Sequence, residues 1–591
     1  MKKLKNFLPL RTALFVIAMN AVAPAAMAQD GGALSVENLN RSLTGPNVLK
    51  TPAKEAVKAP SSANSSSSTF KEGGYALKVS GFQFDGATVF TVDELMNASG
   101  AHLLQSYDLA ALQGIADAIT SYYRQSGYMV ARAWMAPQVI KDGAVVFQIY
   151  EGHLSQSEPF RVISKSQEVD KDRISKIVQH SLCQDQECSA QPLTQEHVDR
   201  AALLVTEITG YQVKGELVPG KELGSTTMVL AAGPRLGATP STDEFTVDAL
   251  TPPRRGYATE ISVDNFGSQA TGVNRTQARL AVGDLLRDGD QVGVSYMTTN
   301  KSDLKNFSLD YSIALGYDGW RVGASAGKMQ YNLSNYGYAG DASTANIYSS
   351  YPIVRSAEKN IDFRLDLDHT QLSDESAAPQ NRRLNAVRAG LSGDFQDRAV
   401  MDFGASTSWG AGVVQSDVAY NSGITPSSGT TGGRFDKYTA RITRLQNLGS
   451  AGWYLDANAY GQQASSNLDS YSKLFLGGAN AVRAYAGGEV GGDTAYVSQI
   501  GLGKSWSTTF SGQGLQTSLS SFYDRGWAKL QQNPSAGITG NQVILAGWGL
   551  EAKVVQKDKF SLRTFWAKGT SGPSSIDQKK SRIGVNLGIA F

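Results

Sequence analysis

From Pro253 to the end of the chain, apolar residues recur at every second position. Tyr257, Thr259, Ile261 and Val263 alternate with their neighbours, and so do Leu280 and Val282, then Val292, Val294 and Tyr296. The series continues through Phe307, Leu309, Tyr311, Ile313 and Leu315. The last stretch, SRIGVNLGIAF, sets Ile583, Val585, Leu587, Ile589 and Phe591 against Arg582, Gly584, Asn586, Gly588 and Ala590. A strict period of two predicts strands with one apolar and one polar or small face. Strands of this kind, ending on an aromatic residue, fit an outer-membrane barrel in which lipid-facing and lumen-facing positions alternate. At roughly 20 residues per strand and turn, residues 253–591 hold about 16 antiparallel strands, with about 14 or 18 also compatible.

Upstream the period changes. Residues 74–154 open on YALKVSGFQFDGATVF, a strand and turn, and Thr91 with Glu94 forms a capping box before VDELMNA. Leu109, Leu112, Ala116, Ile119 and Tyr123 follow helical spacing, and an Asp-Gly turn then separates two strands in VARAWMAPQVIKDGAVVFQIYEG. The order β-α-α-β-β describes a small domain, and residues 155–235 repeat it. FRVIS precedes KDRISKIVQHSL, a second helix carries Val198, Ala201, Val205 and Ile208 on one face, and YQVKGELVPG and TTMVLAAG are strands. Leu112, Ile115 and Ile119 read as core positions, so no partner-binding residue is named among them. The two cysteines of the chain, Cys183 and Cys188, lie between the helices of this repeat, where an exported protein is expected to form a local structural disulfide. His180 and His197 nearby have no zinc-site spacing, so no metal is expected.

The first residues qualify the compartment. Lys2, Lys3, Lys5 and Arg11 precede an apolar run that ends at Ala26-Met27-Ala28, the pattern of a secretory signal peptide spanning 1–28. Residues 29–73 permit a short helix in ALSVENLNRSL, followed by a Ser/Pro/Ala linker. Removing four of the 55 basic residues leaves 51 against 53 acidic, so the net charge moves from +2 to −2. Near-neutral charge gives no support for a nucleic-acid partner. No interior run of about twenty apolar residues exists, which excludes a helical membrane protein. Hydrophobic content of 41%, charged content of 18% and 61 glycines suit a barrel whose strands are half polar and whose turns consume glycine.

No catalytic constellation emerges. Gly323-Ala324-Ser325-Ala326-Gly327 matches a nucleophile elbow, which requires a strand-to-helix turn, but the surrounding WRVGASAGKMQYNL reads as one strand. SQIGLGKS resembles a phosphate-binding loop, yet Ser498 stands where its first glycine belongs and no helix follows. The chain reads as a transporter without cofactor, not as an enzyme.

The stretch LFLGGANAVRAYAGGEVGGD, residues 474–493, carries one cation, Arg483, among six glycines. Downstream, in SSFYDRGWAKL, Phe522, Asp524 and Gly526 share one strand face. A lipid-facing carboxylate is costly, so Asp524 is expected in the lumen, where it either lines a wet wall, pairs with its neighbour Arg525, or meets Arg483 from the folded-in loop. A guanidinium can make two charge-assisted bonds to one carboxylate, which lysine cannot reproduce.

The tandem β-α-α-β-β units, the segments 130–152 and 192–220, DNFGSQATG at 264–272, GGANAVRAY at 477–485 and FYDRG at 522–526 together resemble the outer-membrane transporters of two-partner secretion, the TpsB or hemolysin-secretion type. The resemblance implies a 16-stranded barrel, two periplasmic POTRA domains and an N-terminal helix plugging the pore. It implies export of a dedicated exoprotein through the barrel without nucleotide hydrolysis, insertion into outer-membrane lipid by the barrel-assembly machinery, and a monomer. The lid-loop motif carries over to Gly477, Gly478, Val482, Arg483, Ala484 and Tyr485, and its carboxylate partner to Asp524. Ala484 stands where the motif commonly has glycine, which reduces φ > 0 freedom there. The alternative is an insertase of the same superfamily, although such proteins usually carry more POTRA repeats.

Overall fold

The computed structural model describes residues 77–590 apart from short internal segments, the longest being 235–256 and 424–431. The expected signal peptide, linker and N-terminal helix, and Phe591, lie outside the described residues.

The first α/β unit contains β1 (Leu77–Lys78), β2 (Gly81–Asp85), α1 (Val92–Ser99), β3 (Ser106–Tyr107), α2 (Leu109–Gln125), β4 (Arg132–Trp134) and β5 (Ala144–Tyr150). The capping box of Thr91 and Glu94 forms as the spacing predicts and starts α1. Strands β2, β5 and β4 make one sheet, with β2 parallel and β4 antiparallel to the central β5. Leu112, Ile115, Ala116, Ile119 and Tyr123 of α2 cover it, and all are buried. The sequence expectation joins β1 and β2 into one strand and misses the two-residue β3, which pairs with β1.

Glu151 stabilises this unit from its C-terminal edge. It is 2% exposed, and one carboxylate oxygen accepts from the N–H of Thr88 (2.7 Å), the N–H of Val89 (2.8 Å) and the Tyr123 hydroxyl (2.8 Å). The other accepts from the Thr88 hydroxyl. Burial favours the neutral acid, but these donors outweigh it and hold Glu151 below the usual carboxylate range.

The second unit contains β6 (His153–Leu154), β7 (Phe160–Ile163), α3 (Lys171–Cys183), α4 (Gln195–Thr209), β8 (Tyr211–Pro219) and β9 (Ser225–Pro234). β9 is central, and β6, β7 and β8 pair with it. Cys183 and Cys188 form a disulfide at the end of α3. Met129 of the first unit enters the second unit's core, and the N–H of Gln195 donates to Gly127 O (2.8 Å), so the units share packing as well as chain.

Sixteen antiparallel strands then close a barrel. They are β10 (Tyr257–Asp264), β11 (Arg275–Gly283), β12 (Asp290–Thr299), β13 (Leu304–Leu315), β14 (Trp320–Leu333), β15 (Tyr338–Arg355), β16 (Lys359–Glu375) and β17 (Gln380–Met401). Next come β18 (Gly404–Ser422), β19 (Gly433–Asn447) and β20 (Trp453–Ala464). The short strands β21 (Leu474–Phe475) and β22 (Gly491–Gly492) pair with each other inside the following loop. The barrel resumes with β23 (Thr494–Phe510), β24 (Gln513–Lys529), β25 (Gln542–Gln556), β26 (Phe560–Ser571) and β27 (Ser581–Ala590), and β27 pairs β10 to complete it. The predicted outward faces are inverted relative to a soluble protein: Tyr257, Ile261, Val263, Phe307, Leu309 and Ile583 are all exposed. Such a band is what hydrocarbon covers. The elbow-like glycines fall in β14, where Gly323 makes room for the inward ring of Tyr348, and SQIGLGKS lies wholly in β23.

Helix α4 fixes the second unit to the barrel. Arg200 donates to Pro352 O (2.9 Å) and Asp318 Oδ1 (2.9 Å), Arg355 pairs with Glu207 (3.2 Å), and Asp199 accepts from the N–H of Ala357 (3.1 Å). These contacts mark the barrel end that carries the α/β units.

Replacing Glu151 by alanine strands the N–H groups of Thr88 and Val89 and the Tyr123 hydroxyl, at about 1–3 kcal/mol for each lost partner. Amide exchange along α2 in the full chain should accelerate accordingly. Because the folded-state pKa is depressed, the ionised Glu151 contributes stability above its unfolded pKa and loses it as pH falls through the folded value. Glu151→Gln, which does not titrate, should flatten the acid dependence of that exchange.

Candidate functional site

The loop between β20 and β23 turns back into the barrel. Its ends are tied by the β21–β22 pair, and Val482 N–H donates to Leu476 O (2.9 Å), so the segment 476–482 closes on itself. Leu474, Leu476, Ala481, Val482, Ala484 and Tyr485 pack as one apolar cluster with Val497, Phe522, Leu545 and Phe565 of the wall. The loop is therefore built on buried surface, not held out as a solvated glycine arm.

Arg483 sits at its tip, 7% exposed, against Asp524, which is fully buried. Its Nε donates to Asp524 Oδ2 (2.8 Å) and its Nη2 to Oδ1 (2.7 Å), the two-pronged geometry that only arginine provides. The backbone N–H of the same residue adds a third bond to Oδ2 (3.0 Å). Asp524 thus fixes both the side chain and the main chain of Arg483. Strand parity explains why it is there: Phe522, Asp524 and Gly526 point inward while Tyr523 and Arg525 are exposed. Arg525 lies on the opposite face of β24, so a pair between these sequence neighbours is ruled out by the pleat.

Three further residues complete the site. Arg483 Nη1 donates to Glu551 Oε2 (2.9 Å), and Arg563 Nε reaches the same oxygen (2.9 Å). The face of Phe522 lies 3.3 Å from the Arg483 guanidinium carbon, a cation–π contact in a nearly dry setting. Phe522 belongs to the FYDRG motif, but neither Glu551 nor Arg563 stands out in sequence, since GLEAKVV and SLRTFWA read as ordinary barrel strands. Their inward parity on β25 and β26 was the available signal, but only register puts them beside Arg483.

The wall is cut to receive the loop. A Cβ on Gly547 would stand 2.6 Å from the Ala484 methyl, and one on Gly549 would stand 2.4 Å from the Phe522 ring. Both glycines are needed for close approach. Ala484 itself does not occupy the left-handed region, so the glycine expected there is not required. Positive φ falls instead on Gly478 (130°), Gly488 (83°) and Val490 (56°). Tyr485 donates to Ser571 O (2.8 Å), and Gly477 bridges Val482. Cys183 and Cys188 lie far along the chain in the second α/β unit and take no part. Among the described residues, no group of His, Cys, Asp and Glu is arranged to hold a metal ion.

Glu551→Ala removes the carboxylate shared by Arg483 and Arg563 from a buried setting, which should cost about 3–5 kcal/mol. The heat-induced mobility transition of the folded barrel in detergent gels should move to lower temperature, while the Asp524 fork keeps the loop inside.

Residues 247–554, more than half of the chain, match the haemolysin secretion/activation protein family ShlB/FhaC/HecB, and residues 77–152 match the ShlB-type POTRA domain. The heme/hemopexin transporter protein HuxB of Haemophilus influenzae is 25% identical over 459 residues, covering 74% of each chain. The outer membrane transporter CdiB of Escherichia coli is 21% identical over 487 residues, covering 78% of this chain and 75% of that one. Solved structures of CdiB share the fold. The Escherichia coli protein gives a TM-score of 0.66 at 17% identity, covering 94% of this chain and 97% of that one. The Acinetobacter baumannii protein gives 0.60 at 16%, covering 96% and 100%. On the match across the barrel, the chain belongs to the ShlB/FhaC/HecB haemolysin secretion/activation family.

Proposed function

We propose that this outer-membrane transporter of two-partner secretion takes one dedicated exoprotein from the periplasm and passes it through its barrel, using the Arg483 loop as the element that sets the lumen's conformation. The observation that carries this reading is the Asp524 fork: three hydrogen bonds from one residue of a loop to one buried wall carboxylate. A loop fixed at its tip inside the lumen has one defined resting position. Export requires that position to be kept, left and regained as a chain passes.

The α/β units serve as the receiving arm. Strands β2 and β4 are the edges of the first sheet, and an extended unfolded segment can add to such an edge through main-chain bonds. The contact of α4 with the barrel turns places the arm at the periplasmic entrance. The protein acts as a monomer in outer-membrane lipid and is inserted there by the barrel-assembly machinery. No chemistry is assigned to it; the phosphate-loop-like segment is a barrel strand, and the drive is assigned to the exoprotein folding as it emerges. The N-terminal helix is assigned the role of a pore plug. The insertase reading is the rival.

Arg483→Ala should abolish secretion of the exoprotein partner while the barrel still assembles with normal heat-modifiable migration. Arg483→Lys, which keeps the charge without the fork, should fall between. Normal secretion by Arg483→Ala contradicts the proposal. Depleting the protein should leave other outer-membrane proteins at normal abundance; their general loss favours the insertase.

A further inference from the structure

The inward positions at the barrel end away from the α/β units break the polar rule of a wet lumen. Met297 and Leu304 flank the β12–β13 turn, Met329 and Ala342 the β14–β15 turn, and Leu372 and Leu384 the β16–β17 turn. Ala419 and Phe435 continue the series on β18 and β19. All are buried, and they form one cluster with Leu468 and Tyr471 from the first limb of the folded-in loop. Leu468 is 4% exposed and Tyr471 7%. A half-ring of wall residues is thus filled from inside by two large apolar side chains, which excludes water from that part of the mouth.

A separate set of polar contacts holds this limb. Arg382 on β17 bridges Asp469 of the loop and Asp374 of β16, and Asp374 also accepts from the Tyr331 hydroxyl. Asp493, fully buried at the other end of the loop, accepts from the N–H of Leu468 (3.0 Å) and of Gln532 (2.8 Å). None of these residues belongs to the Arg483 site, which uses β24, β25 and β26. The loop is therefore a strap pinned at two places, to wall strands on different sides of the barrel.

We propose that Leu468, Tyr471 and the Arg382–Asp469 pair form an outer gate, which seals the extracellular mouth independently of the Arg483 fork deeper in the lumen. The gate rests on the family reading of the barrel for its orientation, but its closure is tested without reference to secretion. Its apolar seal blocks leakage of small solutes, and the ion pair gives it a discrete open alternative, since a broken buried pair is exchanged for hydration as the strap lifts.

The test is labelling of a buried wall cysteine from outside intact cells with a membrane-impermeant maleimide, a reagent that never meets the periplasmic side. Leu372→Cys and Leu384→Cys each place a thiol under the strap, and Cys183 and Cys188 are already bonded. Each should label about ten-fold or more slowly than a cysteine on an outer turn, as expected for a site exposed only by local opening. Adding Leu468→Ser with Tyr471→Ser, or Arg382→Ala alone, should raise the rate about ten-fold, whereas adding Arg483→Ala should leave it unchanged. Fast labelling of both cysteines in the otherwise unaltered chain, or equal acceleration by Arg483→Ala, overturns the proposal. Heat-modifiable migration identifies folded variants, and two cysteine positions keep the result readable if one variant does not assemble.

Discussion

A guanidinium held almost dry inside a membrane barrel is a constraint that reaches well beyond its own contacts. Arg483 gives up hydration that only ideally placed partners can offset. Asp524 supplies the fork, Glu551 takes the remaining nitrogen, and Phe522 covers the planar face. Each partner has its own requirement. Phe522 can lie flat only because Gly549 offers no side chain, and the loop can approach only because Gly547 clears Ala484. Glu551, facing Arg483, is also held by Arg563, which keeps the local charge close to balanced. Gly547 and Gly549 thus clear the loop and the ring that seat this cation.

The same constraint divides the protein mechanically. The loop enters from the far mouth, passes an apolar half-ring, and sets its tip on the opposite wall, so its first limb and its tip depend on different strands. At the other end, α4 ties the second α/β unit to the barrel through Arg200, Asp199 and Glu207. The first unit is in turn packed into the second through Met129. The arm is thus packed onto the barrel through described contacts, not held only by a chain tether.

Much of this was legible in the chain itself. Alternation predicted the barrel, because each strand must show lipid one face and the lumen the other, and helical spacing identified the buried face of α2. Parity placed Asp524 inward, while its pairing with Arg483, one of three alternatives by residues alone, was what the family resemblance implied. What parity could not do was assign neighbours across strands, and so Glu551 and Arg563 were missed: an inward acid looks the same in sequence wherever it stands along the lumen. Ala484 misled in the opposite sense, since a motif glycine suggested a left-handed backbone that the loop places at Gly478, Gly488 and Val490 instead. The mouth residues were hidden for a third reason. Met297, Leu372 and Phe435 occupy inward positions that are usually polar, and nothing short of register shows that the loop returns to cover them.

The central claim is that Arg483 and Asp524 act as one unit to fix the loop for export. A double-mutant cycle measures this directly, with secretion of the exoprotein read for Arg483→Ala, Asp524→Ala and the double variant at matched barrel abundance. The account predicts that the double variant loses no more than either single variant, because each substitution alone already dismantles the fork. Losses that simply add, with secretion surviving in both single variants, would contradict it.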